Sequence, residues 1–324
     1  MKFKKACWLL AAGLTLGCSA GASLAQEWPT ETVRIVVPFP PGGTTDIMGR
    51  LIADKLRVSL GRPVLVENLA GAGGRIGAER VARSAPDGHT LLVGSPGPLA
   101  SYQFLYKSMS YDSRTAFDPV IALATLPQVL VVRADSNITT VAGLVADLKQ
   151  RADKVSYGTP GVGSSQHLTT ELFKAATGTR PLNVSYKGSA PMLADVIAGT
   201  TDFAFDQLTS ALGLIKSGRL RALAVTSPKR SEQVPEVPTL TEAGVNVDYG
   251  VWFALVAPRG TPGAIIKRLN EDANKALADP EVRERIAGFG ATPAGGSPES
   301  LARLISSEEE SVKGILKSTK IELD

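Results

Sequence analysis

Three stretches of this 324-residue chain set glycine beside hydroxyl side chains: Pro38-Phe39-Pro40-Pro41-Gly42-Gly43-Thr44-Thr45-Asp46, Gly158-Thr159-Pro160-Gly161-Val162-Gly163-Ser164-Ser165 and Tyr186-Lys187-Gly188-Ser189-Ala190-Pro191. Glycine lets a backbone approach a ligand closely, and the unpaired amides of a helix start carry about half a positive charge, so each stretch suits a carboxylate. One helix end supplies only about 0.3 to 2 kcal/mol through its dipole. Micromolar binding needs about 8 kcal/mol, so several amides and hydroxyls must converge. Taken singly, such loops also arise because turns need positive φ and helices need caps, and Thr44, Thr45, Asp46, Ser164 or Ser189 would serve as ordinary caps. Three in one topological position point to a site. Asp206 and Gln207 end the strand Phe203 to Phe205, where they either face that site or cap the next helix. None of the three loops contains arginine, so a ligand anchored through one carboxylate is expected. At its far end Asp206 suits an ammonium or hydroxyl, and Phe39, Tyr102 or Trp252 an aromatic ring.

Catalytic patterns are sparse. The two histidines are His89, within the turn Pro86 to Thr90, and His167. Ser164 and His167 lie three apart and offer a nucleophile and base, so a hydrolase is the alternative reading. At a helix start that spacing more often gives a cap, and no Gly-x-Ser-x-Gly elbow is present. Gly71-Ala72-Gly73-Gly74-Arg75-Ile76-Gly77 fails the dinucleotide pattern at Ile76 and lacks the Gly-Lys of a phosphate loop, so it reads as a strand-to-helix turn. Both cysteines, Cys7 and Cys18, fall in the first 25 residues, which leaves a zinc site without thiolates. No metal and no cofactor are expected.

The elements that must position the loops follow from hydrophobic patterning. Lysines 2, 4 and 5 precede an apolar run, Ala6 to Leu16, too short to span a bilayer and followed by Ser23-Leu24-Ala25. Residues 1–25 are expected to be a secretory signal peptide, which places the protein in the periplasm. Leu16-Gly17-Cys18 resembles the end of a lipoprotein box, with Thr15 where such boxes place Leu, so lipidation at Cys18 is the lesser alternative. Of 35 Lys and Arg, three lie in that leader, leaving 32 against 31 Asp and Glu. A near-neutral body with 6% aromatic residues lacks the electrostatic footprint of a nucleic-acid binder.

Beyond the leader, short β-branched runs alternate with helical periodicity: Val33 to Val37 then Ile47 to Leu56, Val64 to Val66 then Ile76 to Ala82, Leu91 to Val93. A second series runs from Val129 to Val132 through to Leu223 to Val225. Such alternation predicts βαβ crossovers and mostly parallel sheets covered by helices. A last strand, Trp252 to Val256, is expected to precede only helices and so must join a sheet already built. The reading is α/β with two doubly wound lobes and a ligand cleft between them: residues 26–126 and 251–324 form lobe 1, and 127–250 form lobe 2.

The motifs also carry a family likeness. Val36-Val37-Pro38-Phe39-Pro40-Pro41-Gly42-Gly43-Thr44-Thr45-Asp46 with Arg50, Val66-Glu67-Asn68, Pro86-Asp87-Gly88-His89-Thr90-Leu91-Leu92, Tyr157 to Leu168, Tyr186-Lys187-Gly188, Pro238 to Gly244, and Trp252 with Ala257 to Pro262 resemble, in order, the Bug/TctC family of extracytoplasmic solute receptors. The resemblance spans the chain after the leader. It implies a periplasmic-binding-protein-like (type II) monomer of a tripartite tricarboxylate transporter system, which delivers a small carboxylate to membrane permease subunits or to a sensor. It further implies that loop amides, hydroxyls and ordered water hold the carboxylate at positions matching Phe39, Gly42, Gly43, Thr44, Ser164, Ser165 and His167. Asp206 then lines the side away from it. Asp46, Ser95, Gly161, Tyr186, Lys187 and Gly188 complete the candidate contacts. Leu69 stands where the family usually has a basic residue, and the first loop lacks the residue many members place between its prolines.

Overall fold

The computed structural model describes residues 28–318, apart from Val162 and Lys187. The leader, Cys18 and the candidate Lys187 therefore lie outside the described residues.

Elements follow the hydrophobic punctuation closely. β1 (Val33–Val37), α1 (Thr44–Leu60), β2 (Val64–Asn68), α2 (Arg75–Ala82), β3 (Thr90–Gly94), α3 (Tyr102–Leu105) and β4 (Phe117–Leu126) come first. The chain then passes through Pro127 into β5 (Gln128–Arg133), α4 (Val141–Arg151), β6 (Ser156–Thr159), α5 (Ser165–Thr177), β7 (Leu182–Ser185), α6 (Ser189–Ala198), β8 (Phe203–Gln207), α7 (Leu208–Lys216) and β9 (Leu220–Val225). It ends with β10 (Val251–Pro258), α8 (Gly263–Ala278), α9 (Pro280–Gly288), β11 (Thr292–Gly295) and α10 (Pro298–Ser318). Helix α1 stops at Gly61, which takes the left-handed conformation (φ 64°) that a β-carbon would penalise.

Two sheets result, ordered β11-β4-β10-β3-β1-β2 and β7-β6-β8-β5-β9. Their interiors are built from the expected apolar runs: Val33, Ile35 and Val37 pack with Leu51, Leu56 and Phe253 in one core, and Tyr157, Phe203 and Phe205 with Leu144 and Phe173 in the other.

The expectation of mostly parallel sheets needs correction. β1 pairs in parallel with β2 and β3, and β6 with β7 and β8, but β10 runs antiparallel to β3 and β4, β11 to β4, and β5 to β8 and β9. The reason is where the chain changes sheets. Val251 at the start of β10 pairs with Leu126 at the end of β4, and Gln128 at the start of β5 pairs with Gln207 at the end of β8. The crossings thus lie at the carboxyl ends of the other strands, and a strand that begins there must run backwards.

A second correction concerns the tail, where β10 is followed by the strand β11 as well as by helices. Thr-Pro-Ala-Gly is short and carries a proline, which cannot donate to a sheet ladder, so its sequence gives no strand signal. Helix α10 serves both halves: Leu301 packs with Trp252 and Leu92 of the first sheet, and Val312 and Ile315 join the core of the second sheet with Phe173 and Leu168 of α5. Between them Glu308, buried, accepts hydrogen bonds from the hydroxyls of Ser101 (2.9 Å) and Tyr249. Tyr249 directly precedes the return crossing, so this carboxyl ties the junction of the two sheets.

Candidate functional site

The first loop leaves β1 and enters α1 at Gly43, an extended N-cap (φ −79°, ψ 167°) with no side-chain hydrogen bond. Helix starts carry amides without intrahelical partners, so the first turn of α1 keeps donors for a ligand. Gly42 precedes it at φ +84°, and its amide donates to Asp46 Oδ2 at 2.9 Å. Asp46 is itself buried and accepts from Arg50 Nε (3.0 Å) and from Asn68 Nδ2 (2.9 Å), which also reaches the Phe39 carbonyl (3.1 Å). Burial works to raise the Asp46 pKa, but Arg50, the Gly42 amide and Asn68 outweigh it and hold the carboxyl below its usual range. With both oxygens engaged inside the protein, Asp46 braces the loop.

The second loop is braced in the same manner by a different group. Gly163, at φ +79°, donates its amide to His167 Nδ1 at 3.1 Å. An accepting Nδ1 puts the imidazole proton on Nε2, which faces Glu171 Oε1 at 3.6 Å. Burial lowers the His167 pKa against the opposing pull of Glu171, so the ring is neutral. Ser164 caps α5, its hydroxyl oxygen accepting the His167 amide at 3.2 Å. Both ring nitrogens are thus directed at Gly163 and Glu171, and no nucleophile–base pair with Ser164 forms. The hydrolase geometry fails on this point, and His167, like Asp46, supports a loop.

Asp206 is fully buried at the end of β8. Its Oδ1 accepts from Gln166 Nε2 (3.0 Å) and Ser189 Oγ (2.7 Å), which joins the second and third loops, while Oδ2 has no protein partner. Burial pushes its pKa up to about 6, with Gln166, Ser189 and the Gln207 amide opposing. The third loop enters α6 at Gly188 (φ +116°), an N-cap that again makes no side-chain hydrogen bond. Tyr186 turns its hydroxyl to Asp195 Oδ2 (2.7 Å). The structure thus directs that group along α6.

The loops of the two sheets meet. Thr44 donates its hydroxyl to Gln207 Oε1 at 3.1 Å and shares a second hydrogen bond with Thr209 Oγ1, also 3.1 Å. Thr44, Asp206 and Ser189 are therefore linked through the strand end Asp206-Gln207, and the starts of α1, α6 and α7, none capped by a side chain, gather there. Phe39 is half-buried with its ring against Gly74, where a β-carbon would come within 3.0 Å of it. Ser95, Gly161 and Ser165 are also half-buried, Ser165 donating to Gln166 Oε1 at 2.9 Å. Sequence reasoning missed Asn68, Gln166 and Thr209. Only Asn68 had a local sign, its place at a strand end beside a glycine-rich turn.

Among the described residues no group of three or more His, Cys, Asp or Glu is placed to hold a metal ion, and no helix is long and apolar enough to cross a membrane. A cavity of about 840 Å³ opens elsewhere, along the junction of the sheets between Leu126, Pro127 and α9. Lys229, Arg230 and Arg283 meet Glu232, Asp248 and Glu284 around it, so its charges balance and it does not select an anion. None of the loop residues lines it.

Comparisons with known proteins agree with this architecture. The tripartite tricarboxylate transporter family receptor model matches residues 48–321. Protein BugT of Bordetella pertussis is 39% identical over 311 residues, 95% of each chain. The solved structure of R. palustris Rpa4515 with adipate is similar with a TM-score of 0.84 and 40% identity, over 90% of this chain and 97% of that one. MatC from Rhodopseudomonas palustris with bound malate gives a TM-score of 0.80 and 33% identity, over 89% and 99%.

Proposed function

The chain belongs to the tripartite tricarboxylate transporter receptor family, and from that premise we propose that it captures one small organic acid between its two sheets. It works as a periplasmic monomer, exported by its leader, and hands the acid unchanged to membrane permease subunits or to a sensor. One observation carries the reading: three helix starts without side-chain caps meet at Thr44, Gln207 and Ser189, beside a buried carboxyl with an unpartnered oxygen. The free amides of α1 and α6 suit a carboxylate, and Asp206 Oδ2 suits a hydrogen-bond donor at the other end of the ligand. The adipate and malate of the two related structures support an acid of that size.

A thermal-shift screen of the protein against mono-, di- and hydroxycarboxylic acids tests this. The right acid at a hundredfold excess over Kd is expected to stabilise the fold by about 2.7 kcal/mol and to be recovered chemically unchanged by mass spectrometry. No shift with any acid, or recovery of a hydrolysed product, overturns the proposal.

A further inference from the structure

We propose that Thr44, Gln207 and Thr209 form a latch that holds the cleft shut before a ligand enters, and that Thr44 gives its hydroxyl proton to this latch rather than to the ligand. The proposal rests on the receptor reading only for what the cleft binds.

The atoms dictate the direction of the chain. The amide oxygen of Gln207 is turned to Thr44 and only accepts, so Thr44 is the donor across that 3.1 Å contact. A threonine hydroxyl has one proton. The second contact of Thr44, 3.1 Å from the Thr209 hydroxyl, must then use the Thr209 proton, which gives a directed relay from Thr209 to Thr44 to Gln207. Nothing remains on the Thr44 side chain to donate to an anion. A carboxylate arriving at this loop is held by the amides of the first turn of α1, and Thr44 acts on affinity through the position of the opposite sheet.

The receiving side is built to resist movement. Leu208, between the two latch partners, is fully buried, and its amide donates to the Pro127 carbonyl at 3.2 Å, where the chain changes sheets. From the other side Gly290, at φ +76° just before β11, lies so close that a β-carbon there would come within 3.2 Å of the Leu208 side chain. The first turn of α7 therefore touches two segments that flank the six-stranded sheet, Thr44 at the start of α1 and Gly290 ahead of β11. The Thr44 contacts bridge residues 163 and 165 positions apart, one in each sheet's set of loops.

Two measurements decide it, with Thr44→Val, the double variant Gln207→Ala/Thr209→Val, and the triple. Small-angle X-ray scattering without any acid is expected to show the wild type compact and all three variants with a larger radius of gyration. Equal radii overturn the latch, and this arm needs no ligand. Adipate is the probe for the second arm. Thr44→Val and the double variant are each expected to weaken binding about tenfold through faster dissociation, with the triple no weaker than the double. A further tenfold loss in the triple would mean that Thr44 donates to the ligand directly, which sinks the proton assignment. If the wild type does not bind adipate, the receptor reading for that acid fails while the scattering still decides the latch.

Discussion

The first two glycine-rich loops are braced alike in geometry and differently in charge. In each, a side chain four residues along the chain accepts the amide of a glycine with positive φ: Asp46 for Gly42, His167 for Gly163. The Asp46 brace is anionic and shares its charge with Arg50 and Asn68, while the His167 brace is a neutral ring whose acceptor nitrogen disappears on protonation. A loop can thus be fixed by either group, but only the second is undone by protonation, which burial holds below the usual imidazole range. Asp206 sharpens the contrast, since it has burial without a cation and stands ready to take up a proton.

The largest effect is expected from Asp46→Ala. It strands the Gly42 amide, Arg50 and Asn68 around an empty buried position, so a loss of about 3 kcal/mol is expected. Calorimetry would read this as a fall of several degrees in Tm with weakened acid binding, and an unchanged Tm would remove the brace.

Asp206→Asn is expected to act in the other direction on stability. The folded carboxyl, at about 6, holds its proton more tightly than the unfolded one near 3.8, so stability rises as pH falls from 7 towards 4. The asparagine form should be more stable at pH 7 by about 2 to 3 kcal/mol and should lose that rise. Denaturant titrations at pH 7, 6 and 5 check both statements, and a slope that survives the substitution refutes the assignment.

His167 gives the opposite slope. Its folded pKa lies below the unfolded value of 6.5, so below that pH the unfolded chain takes a proton the folded ring refuses, and stability falls. In the Asp206→Asn background a decline of about 1 kcal/mol per pH unit is expected below 6.5, abolished by His167→Asn, whose amide oxygen can still accept from Gly163. Smallest is Arg50→Ala. Its guanidinium is half exposed (side chain 53%), so solvent screening limits the loss to about 0.5 to 1 kcal/mol, and the loss should shrink at high salt.

Much of this arrangement was legible from residues alone. The run Val33 to Val37, the glycine at 61 and the cap at Ser164 carry their own structural instructions, because apolar period, left-handed backbone and capping hydroxyl act within a turn or a strand. The family motifs carried the loops in order. What stayed hidden needed partners distant in the chain. Thr-Pro-Ala-Gly becomes β11 only because β4 offers an edge, and β5 and β10 run backwards only because the crossings lie at the cleft end. Asp46 is among the expected ligand contacts and His167 joins them through the family resemblance; that each accepts the amide of a glycine four residues earlier shows only in the folded loops, where Asn68 and Glu171 flank them.

By itself, then, the amino-acid order determined which segments become strands and helices and which loops are rich in free amides, since those depend on neighbours a few positions away. The tertiary structure alone decided which of those donors stay open, which are consumed by braces behind the loops, and that Thr44 meets Gln207. Hydrogen bonds of about 3 Å between residues more than a hundred positions apart exist only once two separate cores have fixed the backbones that carry them.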